Sequence, residues 1–290
     1  MSSESKADLS AARAHLEAGR RDLAAELLDA ALRSNPADVE AHNLREAHRL
    51  PGCYSDWVGV YAGIHPDDDI FRFFARHPQS RNPVRDYLSD GWRSALELHR
   101  LVNSLGRPLH RMQSFLEFAC GHGRLTRHLV HDMKPEHITV SDVVPGTVDF
   151  LRQQLGVHGF YSSSKPQELM APARYDMIFV LSMFTHLPKR TWGAWLSTLH
   201  ALLAQGGCLI ISTHGEKCAQ DAGVQWDGEG YAFFPDSESS ALGADEYGVT
   251  YTSRDFVQRA IAEHLPAAVR VSHHPAHFWG SQDAVAIERL

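Results

Sequence analysis

Glu117, Asp142, His186 and His214 each combine a chemically useful side chain with a place at or just after an apolar run. Glu117 stands within Phe115, Leu116 and Phe118, just ahead of the tight bend Ala119-Cys120-Gly121-His122-Gly123. Asp142 ends the short run 137–142, about 20 residues beyond the bend, where one carboxylate can accept bonds from two hydroxyls. His186 follows the strongly apolar run 176–182, and His214 follows the run that begins at Cys208. An imidazole titrates near neutral pH, so either ring can orient an acceptor or take its proton, or simply shape a pocket. Gly121 and Gly123 let backbone approach a ligand closely, and the N–H groups of a following helix suit a carboxylate or phosphate.

These groups must be held by strand ends. The bend reads as buried strand, glycine turn and helix, with Leu125 and Leu129 at helical spacing. Strand and helix then alternate, which predicts a parallel sheet covered on both faces. Strands are expected over 115–118, 137–142, 159–163 and 176–182, then from Cys208, with helices marked by Val144, Val148, Leu151 and Leu155 and by Trp192 to Leu203. Gly206-Gly207 is expected to cap the latter helix in the left-handed region. A capped helix over 253–264 and an antiparallel pair, 269–272 with 283–287, close the sequence. A nicotinamide dinucleotide turn would want a third glycine where Thr126 stands, which weakens that reading.

An acid inside the first strand ahead of such a bend, followed by Asp142, the Thr185-His186-Leu187 segment and the helix–Gly206-Gly207–strand run, resembles the class I S-adenosylmethionine-dependent methyltransferases. The resemblance covers roughly residues 87–287. It implies a Rossmann-like, mainly parallel seven-stranded α/β sheet with a reversed final hairpin, and S-adenosylmethionine as cofactor. It further implies Gly121 and Gly123 at the methionine end, Glu117 on the loop or the amino group, and Asp142 on the ribose. Ser163 is implied near adenine, and Tyr87, Gly91, Ala119 and Leu181 as further cofactor contacts. His186 or His214 would manage the acceptor proton. Ala119 stands where that family more often has glycine, and the bend accommodates its methyl as long as φ stays negative. The closing segment FWGSQDAVAI resembles bacterial methyltransferases considered for surface glycans, so an oxygen of a saccharide or small polar molecule is the expected acceptor.

At 290 residues the chain fits one α/β domain with an N-terminal extension. Residues 1–50 are expected as a helical hairpin, 51–86 as a connector with a short helix near 70–75, and 87–290 as the methyltransferase domain, carrying an insertion over 216–252. The spacing of Gly19, Ala24, Leu28, Ala31 and Pro36 resembles one tetratricopeptide repeat, so residues 8–47 would dock on the catalytic domain, a second copy or a partner, or be a plain hairpin. The formal charge of −7 and the lack of a basic run argue against nucleic acid. No apolar run is long enough to span a bilayer, and the start lacks a signal-peptide core, so a cytoplasmic protein is expected. Four scattered cysteines suit reduced thiols, and His273, His274 and His277 lack metal-ligand spacing, so no metal is expected. Aromatic and acidic residues of the insertion, Tyr247, Tyr251, Asp227 and Glu229 among them, would suit a sugar. A nucleotide-binding oxidoreductase and a non-catalytic adaptor are the alternatives.

Overall fold

A computed structural model describes residues 3–236 and 242–290; positions 237–241, inside the expected insertion, lie outside the described residues. The chain divides into two compact units, with the division after Gly91.

The N-terminal unit contains α1 (Ser3–Glu17), α2 (Arg21–Ser34), α3 (Val39–Ala47), α4 (Tyr54–Val58), α5 (Asp69–Arg76) and the start of α6 (Pro83–Ser104). Ala24, Leu28 and Ala31, the residues that suggested a repeat, are buried with Leu9, Ala12, Ala41, Leu44 and Leu50. The apolar face of the hairpin is therefore covered by α3 and the residues after it, and no neighbouring repeat is needed to bury it. The triplet at Asp67 starts a helix rather than holding a metal. Asp68 caps α5 by accepting from the Phe71 N–H at 2.9 Å, and its other oxygen accepts from the Tyr87 hydroxyl at 2.7 Å.

The second unit contains β1 (Phe115–Phe118), α7 (Thr126–Asp132), β2 (Ile138–Asp142), α8 (Thr147–Leu155), β3 (His158–Tyr161), β4 (Tyr175–Val180), α9 (Lys189–Ala201), β5 (Leu203–Thr213), α10 (Glu216–Asp221), β6 (Tyr231–Phe234), β7 (Val249–Thr252), α11 (Arg254–His264), β8 (Val269–Phe278) and β9 (Gln282–Arg289). Seven strands form one sheet in the order β3-β2-β1-β4-β5-β9-β8. The pairs from β3 to β5 are parallel, and β9 runs antiparallel to both β5 and β8. Central strands read as continuous apolar runs because both faces are covered. Phe118, Ile178, Ile211, Trp192 and Trp195 pack on one side, and Phe115, Phe179, Ile210, Leu125 and Leu129 on the other. The strand order changes direction between β1 and β4, and in open α/β sheets ligands bind outside the carboxyl ends at that switch.

Two boundaries differ from the sequence reading. The helix α9 stops at Ala201 with Leu202 as its cap in a right-handed conformation, and Gly206, at φ +72°, falls inside β5. The glycine pair thus serves a strand irregularity, marked by the register shift between Tyr175 and Met177, rather than a helix end. At the far edge, most of the expected connector after residue 272 is strand, because Ala276 at φ +49° breaks the register without ending the pairing. Within the insertion, β6 and β7 form a separate antiparallel ribbon.

Asp68→Ala removes a helix cap and the carboxylate that accepts from the buried Tyr87 hydroxyl, which together cost about 2–4 kcal/mol. Urea unfolding followed by circular dichroism should show that loss, with Asp68→Asn costing less because its amide oxygen still caps α5.

Candidate functional site

The elbow after β1 is held from both sides. Asp142 ends β2 beside it, and its carboxylate accepts from the Gly121 N–H at 2.7 Å and from the Val144 N–H at 2.9 Å. The side chain is thus turned onto the elbow, and it does not cap α8, which begins only at Thr147. A carboxylate offers about four lone-pair positions, so acceptor capacity remains after these bonds and the further backbone N–H of Val143. Burial raises the Asp142 carboxyl above its ordinary range, opposed by the backbone N–H bonds.

Glu117 is buried at 4% exposure inside β1. It accepts from the Thr126 hydroxyl at 2.7 Å, so the threonine at the position of a third glycine anchors the acid instead. Burial, with a smaller contribution from Asp142, pushes the Glu117 carboxyl up to about 8, against the lowering effect of Thr126. The site therefore holds a carboxyl poised to ionise when a cation approaches.

The expected offer of helix N–H groups is not what the elbow presents. Gly121 gives its N–H to Asp142 and Gly123 gives its own to the Cys120 carbonyl at 3.2 Å, while α7 starts only at Thr126. The two glycines contribute space and conformation. A Cβ on Gly121 would meet nothing within 4 Å, so the backbone borders open space there. A Cβ on Gly123 would stand 2.2 Å from Leu151 Cδ2, so Gly123 is required for packing against α8. Ala119 has φ +58°, which corrects the expectation of a negative angle. The bend is left-handed at that residue, and its methyl is carried at a conformational cost of about 1–2 kcal/mol. Cys120 is buried in the elbow with its thiol pushed well above its ordinary range, first by burial, which opposes a nucleophilic role.

At the other side of the switch stand both histidines. His186 Nδ1 bonds the Gly248 carbonyl at 2.6 Å, and its ring stacks on Tyr247 with centroids 4.4 Å apart. His214 Nδ1 bonds the Thr250 carbonyl at 3.1 Å, and its ring leans on Tyr251. The two imidazoles lie 6.3 Å apart. Burial, then the neighbouring His186, lowers His214 to about 4, so its ring is neutral at physiological pH. The segment 247–252 is also pinned by the Gly248 and Thr250 N–H groups, which donate to the His186 and Thr185 carbonyls.

Other expected residues fall elsewhere. Tyr87 and Gly91 belong to the N-terminal unit, and the Tyr87 hydroxyl is committed to Asp68. Ser163, beyond β3, receives the Lys165 N–H and donates to Glu168, which locks it into a turn. Leu181 follows β4 directly and is half-buried against the core under the elbow. Asp227 accepts from the Glu229 and Tyr231 N–H groups, and Lys189 pairs with Asp227 and Glu229, so these acids build the hairpin. His273 is bonded to Asp283 and His277 to the Glu97 carbonyl, and no metal-holding group of three side chains occurs among the described residues. The sequence reading missed Arg127, fully buried, whose guanidinium donates to the His122 and Gly123 carbonyls and braces the elbow from beneath. It also missed Ser182, Ser212 and Gln282, which bond to one another beside His214.

Two substitutions test this geometry. Glu117 has a folded value above its ordinary 4.5, so its contribution to stability is fully present below 4.5 and is lost as pH rises through about 8. Glu117→Gln keeps an acceptor for Thr126 and removes the titration. Its melting temperature should match the parent near pH 4.5 and exceed it by several degrees at pH 8.5, measured by calorimetric scans across that range. Ala119→Gly removes the left-handed strain and should stabilise by about 0.5–1 kcal/mol, the residue being the difference between strain and glycine entropy.

Residues 116–209 match a family described as "Methyltransferase domain". A stretch of 115 residues is 31% identical to a malonyl-[acyl-carrier protein] O-methyltransferase of Anoxybacillus flavithermus, covering 38% of this chain and 42% of that protein. A protein of the same name from Serratia marcescens is 28% identical over 134 residues, 43% of this chain and 50% of its own length. The chain thus spans half or less of the length of these curated relatives. The solved magnesium protoporphyrin IX methyltransferase of Synechocystis, with S-adenosylhomocysteine bound, has a TM-score of 0.49 and 16% identity over 77% of this chain and 94% of that one. Residues 116–209 are thus similar to a methyltransferase domain, and they form part of a Rossmann-like, mainly parallel seven-stranded sheet with a reversed β9.

Proposed function

We propose that this protein transfers the methyl group of S-adenosylmethionine to an oxygen of a small polar acceptor, a saccharide hydroxyl being the class the sequence suggests. The observation that carries the reading is the Asp142 carboxylate, turned onto the elbow at Gly121 beside open space, with the buried acid Glu117 one strand away.

The residues fit the cofactor. The remaining acceptor capacity of Asp142 suits the ribose hydroxyls, and Glu117 suits an ammonium, whose approach would favour its ionised form. Gly121 leaves room for the methionine end, with Ala119, Gly123 and Leu181 shaping that wall. Ser163 would border adenine through its turn. Tyr87 and Gly91 are retained from family resemblance alone. Bound there, S-adenosylmethionine supplies an electrophilic methyl on a sulfonium sulfur. The chain's own work is alignment of the acceptor and removal of its proton.

His186 and His214 both spend Nδ1 on a carbonyl, so in the neutral ring the lone pair is on Nε2. At His214 that lone pair faces the Gln282 amide nitrogen at 3.3 Å, so His186 is the better base; a lone pair suits a hydroxyl acceptor, which must lose a proton, better than a carboxylate, which need not. The names of the curated relatives specify methylation at oxygen. They also support a second reading, a malonyl group on an acyl-carrier protein as acceptor, whose carboxylate the charge of −7 on this chain disfavours.

In the N-terminal unit, docking of residues 8–47 on a protein partner or a second copy rests on the tetratricopeptide-like spacing alone, because the apolar face of the hairpin is already covered within the unit. Its one cysteine, Cys53, is free, as are the three of the second unit, which supports a cytoplasmic setting. Among the described residues no helix is long and apolar enough to cross a membrane.

Titration calorimetry should show micromolar binding of S-adenosylhomocysteine and none of NAD, with Asp142→Asn weakening the former by ten- to a hundredfold, as loss of hydrogen bonds to a charged acceptor requires. Binding of NAD in place of S-adenosylhomocysteine would overturn the assignment. Cell extracts incubated with methyl-labelled cofactor would then identify the acceptor by the labelled product.

A further inference from the structure

At the ends of β4 and β5 and the start of β9, four side chains close a hydrogen-bonded net. The Ser182 backbone N–H reaches Ser212 Oγ at 2.7 Å, and Ser212 Oγ meets Gln282 Oε1 at 2.8 Å. Gln282 Nε2 meets Ser182 Oγ at 2.8 Å and His214 Nε2 at 3.3 Å. Ser212 is fully buried and Gln282 nearly so.

The direction of every bond follows from one partner, the Thr250 carbonyl, which can only accept. His214 Nδ1 must therefore carry a hydrogen, and in the neutral ring Nε2 is a lone pair. The Gln282 atom facing that lone pair must be the amide nitrogen, so its oxygen faces Ser212. Ser212 then donates to Gln282 while accepting from the Ser182 N–H. Gln282 gives its second hydrogen to Ser182 Oγ, and the Ser182 hydroxyl hydrogen is the one the net does not consume. The reversed amide would place an acceptor against His214 Nε2 and demand a charged ring, which burial opposes. It would also turn the Ser182 hydroxyl inward, as a donor to Gln282.

We propose that Gln282 is a positioning residue that donates to Nε2 of His214, whose Nδ1 proton the Thr250 carbonyl fixes, and so keeps the ring neutral and leaves the Ser182 hydroxyl as a hydrogen-bond donor to an acceptor bound at the end of β4. Ser182 is suited to this, since it is half-buried and follows the strand beside the elbow. The consequence for catalysis rests on the methyl-transfer reading, whereas the state of the ring does not.

The full chain labelled with nitrogen-15 histidine, observed at pH 7.5 through long-range imidazole correlations, reads the ring directly, with His214 assigned by loss of its signals in His214→Gln. The expected pattern is protonated Nδ1 and bare, hydrogen-bonded Nε2; a protonated Nε2 in the parent protein overturns the proposal. Gln282→Glu should convert His214 to the doubly protonated form, and an unchanged neutral pattern would also overturn it. Gln282→Met, which fills similar volume without a donor, should move Nε2 to the position of an unbonded lone pair while Nδ1 keeps its proton; an unmoved Nε2 counts against the bond. In the labelled methyl-transfer assay, Gln282→Glu should lower turnover at least about tenfold with S-adenosylhomocysteine affinity within about threefold. Parental turnover would refute the catalytic consequence. If no acceptor is ever methylated, the methyl-transfer reading fails, and the imidazole signals still decide the positioning claim.

Discussion

The buried Asp142 carboxylate joins two loops that would otherwise part. One oxygen holds the elbow after β1 through Gly121, and the other holds the turn after β2 through Val144. An ionised group in this setting survives only because backbone N–H groups replace water. The same burial acts on Glu117 close by, which accepts from the Thr126 hydroxyl and has a carboxyl raised to about 8. Burial raises both carboxyls on these adjacent strands, and at Asp142 backbone N–H bonds oppose it where Glu117 has the Thr126 hydroxyl.

The opposite wall is built by a segment far away in sequence. Residues 247–252 run between the loop after β4 and the end of β5, and their carbonyls fix the proton of each histidine on Nδ1. Tyr247 and Tyr251 cover the rings. The insertion therefore sets the chemistry of the imidazoles rather than forming only a lid above them. Its acids at Asp227 and Glu229 pair with Lys189 and shape the hairpin.

The sheet was readable because its evidence is periodic: continuous apolar runs at 115–118 and 175–180, alternating with helical spacing, require a covered parallel sheet. Asp142 was readable because a strand end followed at fixed distance by a turn places its side chain. Ala119 was misread, since a side chain does not reveal the sign of φ when surrounding strands impose it. Arg127 and Gln282 left no local signal. Their partners lie on carbonyls or on residues up to 100 positions away, as between Gln282 and Ser182. The glycine pair at Gly206 was assigned to a helix end because left-handed glycines serve strand irregularities equally well.

Strain is concentrated where the sheet is best able to hold it. Ala119 and Ser182, at φ +58° and +62°, immediately follow or closely follow β1 and β4, which are paired neighbours at the centre of the sheet. Such angles cost about 1–2 kcal/mol for a residue with a side chain. Both are over-determined by bonds on either side: the Cys120 N–H reaches the Ser141 carbonyl, and the Ser182 N–H reaches Ser212 while its carbonyl takes the Thr185 hydroxyl. Phe115, Leu116, Ile178 and Phe179, all fully buried, anchor the strands that lead into these turns. Non-glycine residues held left-handed at two adjacent strand exits turn the chain away from the sheet on both sides of the point where the strand order reverses, the place where open α/β sheets bind ligands.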